Sequence, residues 1–79
     1  MKKYIVFRNA VGGEFALVFP TSVQHWLVSV YQEQIVSAGF VEYSLEEGEL
    51  KAKCFGFSES LNIASRPEVD ERLVLDVVL

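Results

Sequence analysis

A polar, turn-prone stretch from Gly56 to Leu73 (GFSESLNIASRPEVDERL) stands between two apolar runs, and it limits the folds open to this chain. Unstructured connections longer than about 12–15 residues are uncommon inside a compact domain, so this one has to be held locally. Its residues suit that. Ser58, Ser60, Asn62 and Ser65 can each bond nearby backbone, and Ser65-Arg66-Pro67-Glu68 has the spacing of a helix start. Pro67 fits a first helical turn, and Glu68, Asp70 and Glu71 favour its positive end, with Ser65 as the expected N-cap. The run that follows, Leu73 to Leu79, favours a strand on propensity alone. The start signals decide for a short helix beginning near Pro67.

The core must then come mainly from the residues before Gly56. Lys3 to Phe7 is rich in β-branched and aromatic residues and reads as a strand. Asn9 to Gly13 supplies a turn, and Glu14 to Phe19 reads as a second strand that Pro20 ends. Thr21 and Gln24 have capping-box spacing, which predicts a helix starting at Thr21. Val23, Trp26, Leu27, Val30 and Tyr31 recur at helical spacing as its apolar stripe, with Trp26 as the largest contact and His25 on the polar side. Ile35 to Leu45 and Leu50 to Phe57 alternate with period two about Glu46-Glu47-Gly48-Glu49, a second hairpin. Gly39 and Gly56 are weak points in these strands, suited to a bulge or a close approach. The expectation is one α+β domain over residues 1–79, ordered ββαββα. It has a small antiparallel sheet of two hairpins, a central amphipathic helix on one face and a short C-terminal helix.

Composition narrows the function. At 79 residues the core is marginal, yet 51% of the chain is hydrophobic, with six Phe, three Tyr and one Trp. Such an excess on a small domain points to a subunit or partner interface, and a homo-oligomer is expected. The net charge is −4, from 11 acidic and 7 basic residues, and the basic ones are scattered. Binding a phosphate backbone needs a basic stripe, so no direct nucleic-acid binding is expected. No apolar run approaches the roughly 20 residues of a membrane span, and no signal peptide is readable. The single cysteine, Cys54, excludes an internal disulfide and fits a reducing, cytoplasmic setting.

Few residues here carry chemistry. Cys54 and His25 occur once each, but a nucleophile–base pair also needs an orienting group and an oxyanion site, and neither is recognisable. One His and one Cys fall short of the three or four ligands a metal requires, so no metal, cofactor or catalytic residue is expected. Ser58, Ser60 and Ser65 could instead line a polar pocket for an anion. Arg66 would be its charged donor, beside the free amides of a helix start. With His25 and the Ser37-Ala38-Gly39 segment they make the expected ligand site: His25, Ser37, Ser58, Ser60, Ser65 and Arg66. The plainer reading of Arg66 is an ion pair with Asp70 across one helical turn.

FPTSVQHWLV, then VSAGFV, then CFGFSESLNIASRPEVDE resembles a group of small bacteriophage proteins of unassigned activity. The resemblance rests on Phe19-Pro20, His25, Ser37 to Phe40, Cys54, Gly56 and Ser65 to Asp70. It implies a phage-encoded protein acting inside a bacterial host, where it binds a host component or sequesters a small molecule. The resulting expectation is a non-enzymatic, self-associating binding protein for a host protein or a small anionic ligand. The alternative is a purely structural or protein–protein interaction subunit, and a Cys54-dependent enzyme stands third.

Overall fold

A computed structural model of the chain describes residues 1–29 and 34–78, without the side chain of Ser29. Two hairpins follow from the sequence pattern. β1 (Lys2–Arg8) and β2 (Glu14–Phe19) pair antiparallel across the loop at 9–13. β3 (Ile35–Glu46) and β4 (Glu49–Phe55) pair across a tight turn, where Glu47 and Gly48 both take positive φ, as a two-residue hairpin loop with right-handed strands demands. β1 joins the hairpins by pairing with β3, so the four-stranded antiparallel sheet runs β2-β1-β3-β4.

β3 is long because its two halves have different neighbours. Its first half pairs with β1 and its second half with β4, and the two ladders overlap only at Phe40 and Val41. Beyond Phe55 the chain turns at Gly56 (φ 86°) and lays a two-stranded ladder, β5 (Phe57–Ser58) with β6 (Ile63–Ala64), against β3. Gly39 makes this crossing possible. A Cβ there would stand 2.5 Å from the Phe55 carbonyl oxygen and 3.1 Å from Ser65 Cβ. The order is therefore ββαββ followed by this extra ladder and the C-terminal helix. Strands of two residues carry no readable periodicity, which is why the ladder is absent from the sequence expectation.

The sheet is covered on both faces. α2 (Pro67–Val78) packs on one, burying Val74 against Tyr4, Val6, Ala16, Val41 and Cys54. On the other, Ile5, Phe19 and Ala38 meet Val23 from the turn before α1 (His25–Ser29), Val28 within it, and Leu61 and Ile63 from the β5–β6 segment. No described helix is long and apolar enough to cross a membrane.

The helical expectation at Pro67 holds, but both caps differ. Arg66 occupies the N-cap position of α2, and the Asp70 carboxylate accepts its backbone N–H at 2.8 Å. Ser65 instead donates its hydroxyl to the Gly56 carbonyl at 2.8 Å. At the other helix, Val23 N–H closes a turn onto the Pro20 carbonyl, and helix begins only at His25, so Thr21 and Gln24 form no capping box there. That displacement rotates the stripe. His25 is 3% exposed, whereas Trp26 and Leu27 are 48% and 46% exposed. Val23 and Val28 face the sheet, and the expected stripe positions Val30 and Tyr31 lie outside the described residues.

Candidate functional site

The candidate site residues fall on opposite faces of the sheet, in two environments of different chemistry. Under α2 lies a closed ionic network. Asp70 is fully buried, and its carboxylate accepts from Tyr4 Oη (2.5 Å), Ser37 Oγ (2.8 Å), the Arg66 amide (2.8 Å) and Arg66 Nη2 (3.0 Å). Arg66 Nη2 also reaches Glu14 Oε1 at 2.9 Å, and Glu14 Oε2 accepts from Arg8 at 2.8 Å. Hydrogen bonds from Arg66 and Arg8 hold the Glu14 carboxyl below the usual range. Burial, reinforced by Asp70, pushes the Tyr4 phenol up, so it stays a donor. A buried charge is tolerable only when its lone pairs are filled in this way.

This network accounts for Ser37 and for the amide and Nη2 of Arg66, which spend their donors inside the chain, while the buried Arg66 Nε has no hydrogen-bond partner among the described residues. It also contains Tyr4 and Glu14, which the sequence did not single out, and Asp70, the partner that the plainer reading of Arg66 gave it across one helical turn, at 3.0 Å. Tyr4 and Asp70 are 66 positions apart, and only the assembled sheet brings them together. Cys54 is buried on this same face, and burial pushes its thiol up to about 12. A thiol held so far above neutrality is a poor nucleophile, and the sheet separates it from His25.

The second environment is open. Across the sheet, Lys3, Gln24, His25, Phe40, Phe57, Glu59 and Ser60 line a cleft of about 220 Å³. Alternation along β1 puts Lys3 on the same side as Ile5, and the β5–β6 turn carries Glu59 and Ser60 to the rim. Lys3 Nζ donates to the Val23 carbonyl at 3.0 Å, tying the cleft to the start of α1.

His25 forms the back wall. Its Nε2–H donates to the Gly39 carbonyl at 2.9 Å, which leaves Nδ1 as the acceptor of the neutral ring. Phe19 and Phe40 contact the ring edge-on, with centroids 5.5 and 5.9 Å away. Burial lowers the His25 pKa and nearby Lys3 adds to this, while the bond to Gly39 opposes it, so the imidazole is neutral at pH 7.

Of the six residues expected in one site, the structure brings His25 and Ser60 to the cleft. Ser58 is buried just behind, with its Oγ 3.5 Å from Ser60 Oγ and accepting the Leu61 amide at 3.3 Å. Ser65 is spent on Gly56, and Ser37 and Arg66 belong to the other face. Lys3, Gln24, Phe40, Phe57 and Glu59 complete the lining without having been selected from the sequence. The Lys3 alternation was the available signal. Among the described residues no cluster of three or more His, Cys, Asp or Glu is placed to hold a metal ion. No known family model matches the chain, and neither a curated protein nor a solved structure matches it.

Proposed function

We propose that this is a non-enzymatic binding protein whose site is the cleft between α1 and the β5–β6 turn. Its ligand is a small molecule with one anionic group on a planar apolar body. The observation that carries this reading is the convergence of Lys3, His25 and Ser60 in a cleft walled by Phe40 and Phe57. Lys3 and Ser60 offer donors to a carboxylate, and the phenyl rings offer apolar faces for a planar group. Glu59 on the same rim disfavours a multiply charged anion such as free phosphate and favours a singly charged one. A phage-encoded protein working in a host cytoplasm as a homo-oligomer is the setting the sequence resemblance and the apolar composition suggest.

The exposure of Phe57, at 44%, favours a second reading in which the same surface receives a host protein without any small ligand. Calorimetric titration with phenylacetate and with inorganic phosphate separates the two. The binding reading expects saturable binding of phenylacetate, no binding of phosphate, and at least a roughly tenfold loss in Ser60→Ala, about 1.4 kcal/mol. Absence of phenylacetate binding, or binding that Ser60→Ala leaves untouched, overturns the cleft as the site.

A further inference from the structure

The two edges of the main sheet are built differently. β4 places Lys51 and Lys53, both exposed, along its strand, the charged guards that keep a free edge from pairing with another chain. β2 reads EFALVF. Only Glu14, at its first position, is charged, and that charge is already taken up by Arg8 and Arg66 of the same chain. Proline appears only after the strand ends, at Pro20.

The ladder geometry shows which β2 groups point outward. Arg8 N–H donates to the Gln34 carbonyl, on the β3 side of β1, while Asn9 N–H donates to Gly13, on the β2 side. The β1–β2 register is regular, so the side alternates along the strand, and Tyr4, Val6 and Arg8 all turn away from β2. Their register partners Val18, Ala16 and Glu14 therefore present their own N–H and C=O groups to the free edge. No described residue pairs with the Ala16 or Val18 amide.

The surfaces beside that edge are mainly apolar. On the α2 face a groove of about 250 Å³ runs between Ala16 and the Leu73–Val77 part of the helix, with the carboxylates of Glu14 and Asp76 also in its lining. On the other face Phe15 is 50% exposed beside Phe7, their ring centroids 5.8 Å apart.

We propose that β2 is the pairing edge of a two-fold dimer in which a second copy's β2 lies antiparallel to it and joins two four-stranded sheets into one. This builds on the self-association in the proposed function and goes beyond it by naming the strand and register. A two-fold axis normal to the sheet keeps like faces together, so the register must centre on a residue. Centring on Ala16 uses every outward group: Ala16 pairs with itself and Glu14 with the second copy's Val18. Phe15 then stands across from the second copy's Leu17, an aromatic–aliphatic cross-strand pair. Alanine at the axis keeps the α2 side clear for the two grooves to meet. A second copy fits better than an unlike partner because an antiparallel edge is self-complementary and the one charge on the strand itself, Glu14, is already paired with Arg8 and Arg66.

Light scattering on a sizing column, joined to amide hydrogen exchange across a dilution series, tests the proposal. The expected mass at micromolar concentration is that of two 8.9 kDa chains, with the Ala16 and Val18 amides protected in the dimer and losing protection on dilution. Phe15→Lys, which installs on β2 the guard that β4 already has, should weaken self-association at least about tenfold. Leu45→Lys, at an exposed site on the far hairpin, should leave it unchanged. A monomer at every concentration overturns both this pairing and self-association. A dimer whose Ala16 and Val18 amides exchange freely overturns the β2 edge alone. Phenylacetate binding is measured separately, so the cleft stands or falls on its own titration.

Discussion

The two faces of the sheet use similar polar residues to opposite ends. Under α2, Tyr4, Ser37 and Arg66 Nη2 direct their donors at Asp70, which takes up the N-cap amide of the helix as well, and only the buried Arg66 Nε is left without a partner among the described residues. Across the sheet, Lys3, His25 and Ser60 are each anchored by one internal contact and turned toward a cleft. A serine or arginine near a helix start looks the same in sequence in either case. What separates structural from functional polarity is whether the partner is already inside the chain. By that measure the polar residues of the α2 face hold the fold, and those of the α1 face are the ones open to the proposed ligand.

Breaking the closed face should have the largest effect. Asp70→Ala removes the acceptor shared by Tyr4, Ser37 and Arg66 and leaves the guanidinium facing an emptied buried site, so a loss of about 3–5 kcal/mol is expected in urea unfolding. Arg66→Ala should cost less, because its side chain is 31% exposed and Asp70 keeps three other donors. Near-equal, sub-kilocalorie losses in both variants would mean that the network is not what holds α2 to the sheet.

His25 sharpens the comparison from the other side. It is buried like a core residue yet forms the wall of the cleft, and His25→Ala leaves the Gly39 carbonyl without its donor, at about 1–3 kcal/mol. Its protonation has a definite sign. The folded pKa is depressed, so the unfolded chain takes up a proton first as the pH falls below about 6.5. The unfolded state then binds more protons, and stability declines between that pH and the lower folded pKa. Above pH 6.5 the group is neutral in both states and contributes no slope. His25→Gln, which keeps a donor for Gly39 but does not titrate, should flatten the fall of the unfolding midpoint as the pH drops below about 6.5. An unchanged slope in that variant would assign the pH response to another group.

Much of the framework was legible because hairpins and helix starts are local. The period-two runs about Glu47-Gly48, the strand pair across Asn9–Gly13 and the helix beginning at Pro67 all follow from neighbouring residues. Gly39 could be marked as a place of close approach, but not that Phe55 and Ser65 would be what approached. The phase of α1 was misread because a turn at Pro20–Val23 delays the helix to His25. The bond from His25 to Gly39, made across the sheet, then fixes which side faces in. The division of the polar residues between faces was the least legible feature. Ser37 and Ser60 differ only in which layer the finished fold sets over them, and that depends on strand order.

Chemical-shift mapping of the uniformly labelled protein during a phenylacetate titration tests the division between the faces most directly. The account predicts concentration-dependent shifts at Lys3, Gln24, His25, Phe57 and Ser60, with Ser37, Arg66 and Asp70 unmoved. Shifts centred on Ser37 and Arg66, or equal on both faces, would contradict it.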